Sequence, residues 1–171
     1  MPNTFELIAS STVGAGGASA ITFSSIPSTY TDLCVQLSVR SAASAGDDQL
    51  RININGAGVG SNFSLRGIQG SGSSVSSGNS TTGWIVGGAN ANNNTANTFT
   101  SIQVYFPNYT SSNNKSMSID SVMENNATTA YAELNAALYS NSSAINSLAF
   151  LFPSANLVQY STAYLYGVKN A

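Results

Sequence analysis

The side chains able to do chemistry are few in this sequence. None of the 171 residues is histidine, and Cys34 is the one cysteine. Ser-His-Asp and Cys-His nucleophile systems, His-ligated zinc and imidazole acid–base chemistry are therefore excluded together. The same count excludes an intrachain disulfide or a multi-thiolate metal site. Seven carboxylates remain: Glu6, Asp32, Asp47, Asp48, Asp120, Glu124 and Glu133. Glycoside hydrolysis needs two of them roughly 5–9.5 Å apart across the scissile bond. Asp120 and Glu124 fall on one face of an expected strand, but four residues of about 3.3 Å each hold them about 13 Å apart. They form no local pair, so only carboxylates converging from different strands would serve.

Weaker signals have plainer readings. Asp47 and Asp48 follow Gly46 and could offer oxygen ligands to calcium. Without EF-hand spacing, a solvated turn between two strands is the preferred reading. The glycines of 14–17 and 56–60 lack the strand–loop–helix context and the Lys-Ser/Thr of a phosphate loop, and are read as turns. Asn62-Phe-Ser, Asn108-Tyr-Thr and Asn126-Ala-Thr match the glycosylation triplet, as chance predicts at this Asn, Ser and Thr content. Trp84 and the tyrosines could stack on a sugar, but a core tryptophan and tyrosines along strand faces are preferred. Cys34 reads as a small strand residue. The expectation is no catalytic residue, no cofactor-binding residue and no metal ligand.

The elements that carry these residues read as strands, because apolar and polar residues alternate with a period of two. In 31–40, Leu33, Val35, Leu37 and Val39 oppose Cys34, Gln36, Ser38 and Arg40. In 49–55, Leu50, Ile52 and Ile54 point inward. In 98–106, Ile102, Val104 and Phe106 share a face, as do Met117, Ile119 and Met123 in 115–124. The stretch 157–168 sets Val158, Tyr160, Tyr164, Tyr166 and Val168 against Gln159, Ser161 and Ala163. Weaker strands are expected at 4–9, 19–24, 62–68, 82–86 and 145–152. Turn residues separate them at 13–17, 42–48, 55–61, 107–114 and 140–143. Residues 69–80 (Ser/Gly) and 87–97 (Asn/Ala) lack apolar anchors and read as exposed, mobile loops. Residues 127–138 fit either period; their neighbours favour a strand. About ten short strands with no long helix predict a single all-β domain over 1–171, a two-sheet antiparallel β-sandwich of jelly-roll type.

Composition narrows the partners. Charged residues make up 7% of the chain, against about 25% in ordinary soluble domains. Ser, Thr and Asn supply more than a third of it instead. Such a surface is little affected by salt. The basic residues Arg40, Arg51, Arg66, Lys115 and Lys169 are scattered and the net charge is -2, so direct nucleic-acid binding is not expected. The start, Met-Pro-Asn-Thr-Phe-Glu, has no basic leader, and no apolar run is long enough to span a membrane. Synthesis in the cytoplasm is expected, with an outer surface suited to an extracellular setting.

Several phrases are distinctive: Phe23-Ser-Ser-Ile-Pro-Ser-Thr-Tyr-Thr-Asp-Leu33, Pro107-Asn-Tyr-Thr-Ser-Ser-Asn-Asn-Lys-Ser116, Glu124-Asn-Asn-Ala-Thr128 and Gln159-Tyr-Ser-Thr-Ala-Tyr-Leu-Tyr-Gly-Val-Lys-Asn-Ala171. Together they resemble a family of small structural proteins of tailed bacteriophages, frequent among viruses of marine and freshwater bacteria. The resemblance covers nearly the whole chain. It implies a β-sandwich virion protein without catalytic residues, made in the host cytoplasm and released by lysis. It leaves two positions open. One is a capsid decoration protein bound to the major capsid protein as a homo-oligomer, with a trimer among the options. The other is a tail, baseplate or fibre-tip protein that binds a host surface glycan. A carbohydrate-binding protein or glycosidase unrelated to phage is the remaining alternative.

Overall fold

Alternation builds twelve β-strands in the computed structural model, which describes residues 4–58, 60, 62–81, 86–126 and 129–169. They are β1 (Phe5–Thr12), β2 (Ile21–Phe23), β3 (Asp32–Val39), β4 (Asp47–Ile54), β5 (Phe63–Gly70) and β6 (Val75–Ser80), then β7 (Gly87–Asn90), β8 (Thr100–Phe106), β9 (Lys115–Met123), β10 (Tyr131–Tyr139), β11 (Leu148–Leu151) and β12 (Thr162–Val168). No helix occurs among the described residues, and therefore none long and apolar enough to cross a membrane. Two antiparallel sheets form a sandwich, in the orders β1-β12-β3-β8-β9-β10-β5-β6 and β2-β11-β4-β7.

The strand orders resolve into a jelly roll with additions. With β1 and β12 set aside and β8–β10 counted as one, eight elements remain in chain order. The small sheet then reads first, eighth, third, sixth, and the large sheet second, seventh, fourth, fifth. Two interlocked Greek keys give this order. Three strands can replace one because direction is kept: β8 runs antiparallel to β3, and β10 antiparallel to β5. The sequence led to about ten strands. The structure has twelve, and β6 and β7 come from the two segments read as exposed loops. The strand expected at 82–86, with Trp84, lies outside the described residues except for Val86, which is buried. Residues 127 and 128, the start of the ambiguous 127–138 stretch, also lie outside them, and the rest of it from Tyr131 on belongs to β10.

The core fills the space between the sheets. Leu33, Val35 and Leu37 of β3, Ile102, Val104 and Phe106 of β8 and Ile119 of β9 meet Leu50, Ile52 and Ile54 of β4 and Phe150 of β11. Each buried aliphatic or aromatic side chain contributes about 1.5–3 kcal/mol. Phe63 and Tyr139 stack with ring centroids 4.6 Å apart. At the end of β4, Asn55 and Gly56 take positive φ (53° and 76°), and Ile54 and Ala57 exchange both backbone bonds across them. Two positive φ values in succession explain an Asn-Gly turn.

Two strands face the opposite way from a hydrophobicity reading. In β12 the tyrosines were grouped with the apolar face, yet Ala163 and Leu165 are buried and Tyr164 is 40% exposed. Register decides this: Ala163, Leu165 and Gly167 stand opposite Leu37, Val35 and Leu33 and share their inward face. A Cβ at Gly167 would fall on the Tyr30 ring, so only glycine fits there. In β10 the alternating Ala132, Leu134 and Ala136 face outward, while Asn135, Ala137 and Tyr139 are buried.

Candidate functional site

Five of the seven carboxylates have hydrogen-bond partners. Lys169 Nζ donates to Glu6 Oε2 at 2.7 Å, which lowers the Glu6 pKa and raises that of Lys169. Tyr105 Oη donates to Asp32 Oδ2 at 2.6 Å and Asn108 N to Oδ1 at 2.7 Å. The bond to Asp32 pushes the Tyr105 phenol up to about 12. Asp48 accepts from Ser41 Oγ and from Gln49 N. Glu124 lies beyond β9, apart from the strand face it was expected to share with Asp120, and accepts from Asn125 N and Asn126 N. Glu133 accepts from Gln69 Nε2 at 2.6 Å and Gly88 N at 3.0 Å. Asp47 and Asp48 begin strand β4 and are not a free turn. Among the described residues, no three His, Cys, Asp or Glu side chains gather closely enough to hold a metal. Cys34 is buried on β3, and burial raises its thiol pKa.

A second set of polar groups is buried and structural. Arg40 is 6% exposed, and its guanidinium faces backbone carbonyls instead of a carboxylate. Nη1 donates to Thr95 O and Thr98 O at 2.9 and 2.8 Å, and Nη2 to Asn94 O at 3.1 Å. Asn94 Nδ2 and Asn125 Nδ2 both donate to Asn90 Oδ1, at 2.8 and 2.7 Å. The Asn/Ala-rich stretch 87–97 is thus partly interior, with Asn90 and Ala91 fully buried. Lys115, one of the scattered basic residues, is also buried and donates to Ser111 O at 2.7 Å and to Asn113 O.

The most distinctive surface is the β5–β6 hairpin. The large sheet is twice as wide as the small one, and β6 is exposed along nearly its whole length. Beneath the hairpin is a cleft of about 240 Å³, lined by Gln49 of β4, Gln69 of β5, Glu133 and Asn135 of β10, and small residues of β6. Gln49 Oε1 is buried there without a hydrogen-bond partner among the described residues. Gly67 lets Asn135 lie directly against the β5 backbone, since a Cβ would collide with Asn135 Oδ1. The cleft therefore offers neutral amides and hydroxyls around one carboxylate already held by Gln69 and Gly88.

The outer side of the same region is apolar. Ile68, Val122 and Leu134 are 54%, 50% and 53% exposed, and Val75 is 81% exposed. Register places them together: Leu134 stands opposite Ile68, Ala132 opposite Val122 and Gly70, and Gly70 opposite Val75. A second exposed group, Phe5, Leu7 and Tyr164, lies at the other end of the sheet on β1 and β12. Sequence reasoning predicted no site residue and missed both surfaces. The one available signal was the alternation of Ala132, Leu134 and Ala136, which marks a face without saying whether it is covered. Compared with models of known protein families and with curated proteins, the chain matches none.

Proposed function

We propose that the chain is a non-enzymatic structural protein of a tailed-bacteriophage virion, bound to the outside of the shell as a capsid decoration protein. The observation that carries this reading is the contiguous apolar patch of Ile68, Val75, Val122 and Leu134 on a chain with few charges. Single exposed apolar residues are ordinary, but a contiguous group at neighbouring register positions is a docking feature. The partner is the major capsid protein, and symmetric association of the chain multiplies weak contacts into avidity. The structural bonding of the carboxylates supports a role without catalysis.

Undecorated shells incubated with purified protein test the reading. Binding should approach a simple ratio to the shell subunit, and Ile68→Asp with Leu134→Asp should weaken it roughly a hundredfold by burying two charges. The variant's melting temperature checks that it still folds. A virion holding only a few copies, confined to the tail, would overturn the capsid assignment. The second reading, a tail or fibre-tip protein that binds a host glycan, has the polar cleft of amides and hydroxyls around Glu133 in its favour. Saturable binding of host polysaccharide, lost in Gln69→Ala with Asn135→Ala, supports that reading instead.

A further inference from the structure

An edge strand presents unpaired N–H and C=O groups to any passing chain, and natural sheets blunt their edges. Three of the four edges here are blunted. β2 has three residues. β7 is buried throughout. Its groups facing away from β4 are occupied: Gly88 N donates to Glu133, Gly88 O accepts from Ser121 Oγ, and Asn90 N donates to Thr100 Oγ1. β1 is interrupted between Leu7 and Ala9, and its Glu6 is paired with Lys169. β6 differs from all three. Residues 75–79 are exposed, pair only with β5 among the described residues, and keep an unbroken register without charge or proline.

We infer that β6 is an association edge whose occupant is β6 of a second copy of this chain, paired antiparallel about a twofold axis perpendicular to the sheet. Head-to-tail addition would require a second open edge on the same molecule, and the other described edges are blunted. An isologous contact uses one edge twice. A perpendicular twofold axis sets same-face residues opposite each other. Centred on Ser77, it places Val75 of each copy opposite Asn79 of the other. Ser76 and Gly78, opposite each other across the axis, are small enough for strands about 4.8 Å apart. Electrostatics also allows self-pairing. Arg66 is the only charge in the hairpin 63–80. The two copies of Arg66 would sit three strand spacings apart, about 14 Å laterally, beyond the Debye length of about 8 Å at physiological salt. The seam would bring the two apolar patches onto one continuous sheet face, with Ser77 and Asn79 of each copy between them.

The inference concerns the purified chain, so its failure is separate from that of the virion reading. Sedimentation equilibrium over a concentration series should show a monomer–dimer equilibrium. Ser77→Lys with Asn79→Lys brings like charges across the seam and should weaken dimerisation roughly tenfold or more. Both side chains are exposed, and an unchanged melting transition in dilute solution confirms the fold. Hydrogen exchange supplies a second measure. Some amides within 75–79 should gain protection as wild-type concentration rises, and the double variant should lose that gain. A monomer at every concentration, a trimer, or a dimer indifferent to the two lysines would each overturn the assignment. So would a monomer whose β6 amides become protected only when another virion protein is added.

Discussion

Residues 69–80 and 87–97 are both built mainly from small, neutral residues, yet one lies at the surface and the other lies partly inside. In the first, β6 is solvated and the Ser71–Ser74 turn bonds chiefly to itself. In the second, β7 rests against β9 and β10, while Arg40 gathers three carbonyls of the following loop. A buried polar segment persists only when its backbone groups are satisfied. Ser121, Glu133, Thr100 and Arg40 supply partners for the second segment. Residues 75–79 of β6 pair only with β5 among the described residues, which leaves their other edge available.

The largest expected effect tests the buried member. Arg40→Met keeps much of the side-chain volume but removes the donors to Asn94, Thr95 and Thr98. It should cost about 3 kcal/mol of unfolding free energy, measured by urea denaturation. A loss below about 1 kcal/mol would mean that water replaces the guanidinium readily, and the contrast between the segments would weaken.

Two glycines give a smaller, paired test. A Cβ at Gly87 would lie 2.5 Å from Ser121 Cβ, whereas one at Gly78 would meet nothing within 4 Å. Gly87→Ala should therefore cost about 1–3 kcal/mol by overpacking. Gly78→Ala should be neutral or stabilising by up to about 1 kcal/mol. Equal effects in thermal melts would show that the two strands are not differently packed.

The smallest effect comes from a pair outside both segments. Tyr105→Phe removes the bond to Asp32 and should cost about 1 kcal/mol near neutral pH. The phenol pKa rises from 10.0 to about 12 on folding. The contribution is therefore complete below pH 10. It falls as pH rises from 10 to 12, because the unfolded chain loses its proton first. Spectroscopic titration of the tyrosines should lose one step near 12 in the variant, and its stability should vary less across that window.

The alternation in β3, β4, β8 and β9 is legible because Leu, Ile, Val, Met or Phe recur at every second position over most of each strand, against mainly polar residues on the opposite face. In β12 the size of the tyrosines misled, since the inward positions hold Ala163, Leu165 and Gly167. Nothing local in Tyr164 or Tyr166 states that Leu33, Val35 and Leu37 lie beside their neighbours. The cleft was illegible for a related reason. Gln49, Gln69, Glu133 and Asn135 come from three strands distant in sequence, and each is unremarkable alone.

The sequence by itself determined the all-β class, the strongly alternating strands and the exclusion of histidine and thiol-pair chemistry. These depend on composition and on a two-residue pleat, which are local properties. Only the tertiary structure decided which faces are covered, that part of an Asn/Ala stretch becomes an interior strand, and that residues 75–79 keep one edge unpaired among the described residues. Burial, pairing and edge exposure belong to contacts between distant segments, and register fixes them only after the chain has folded.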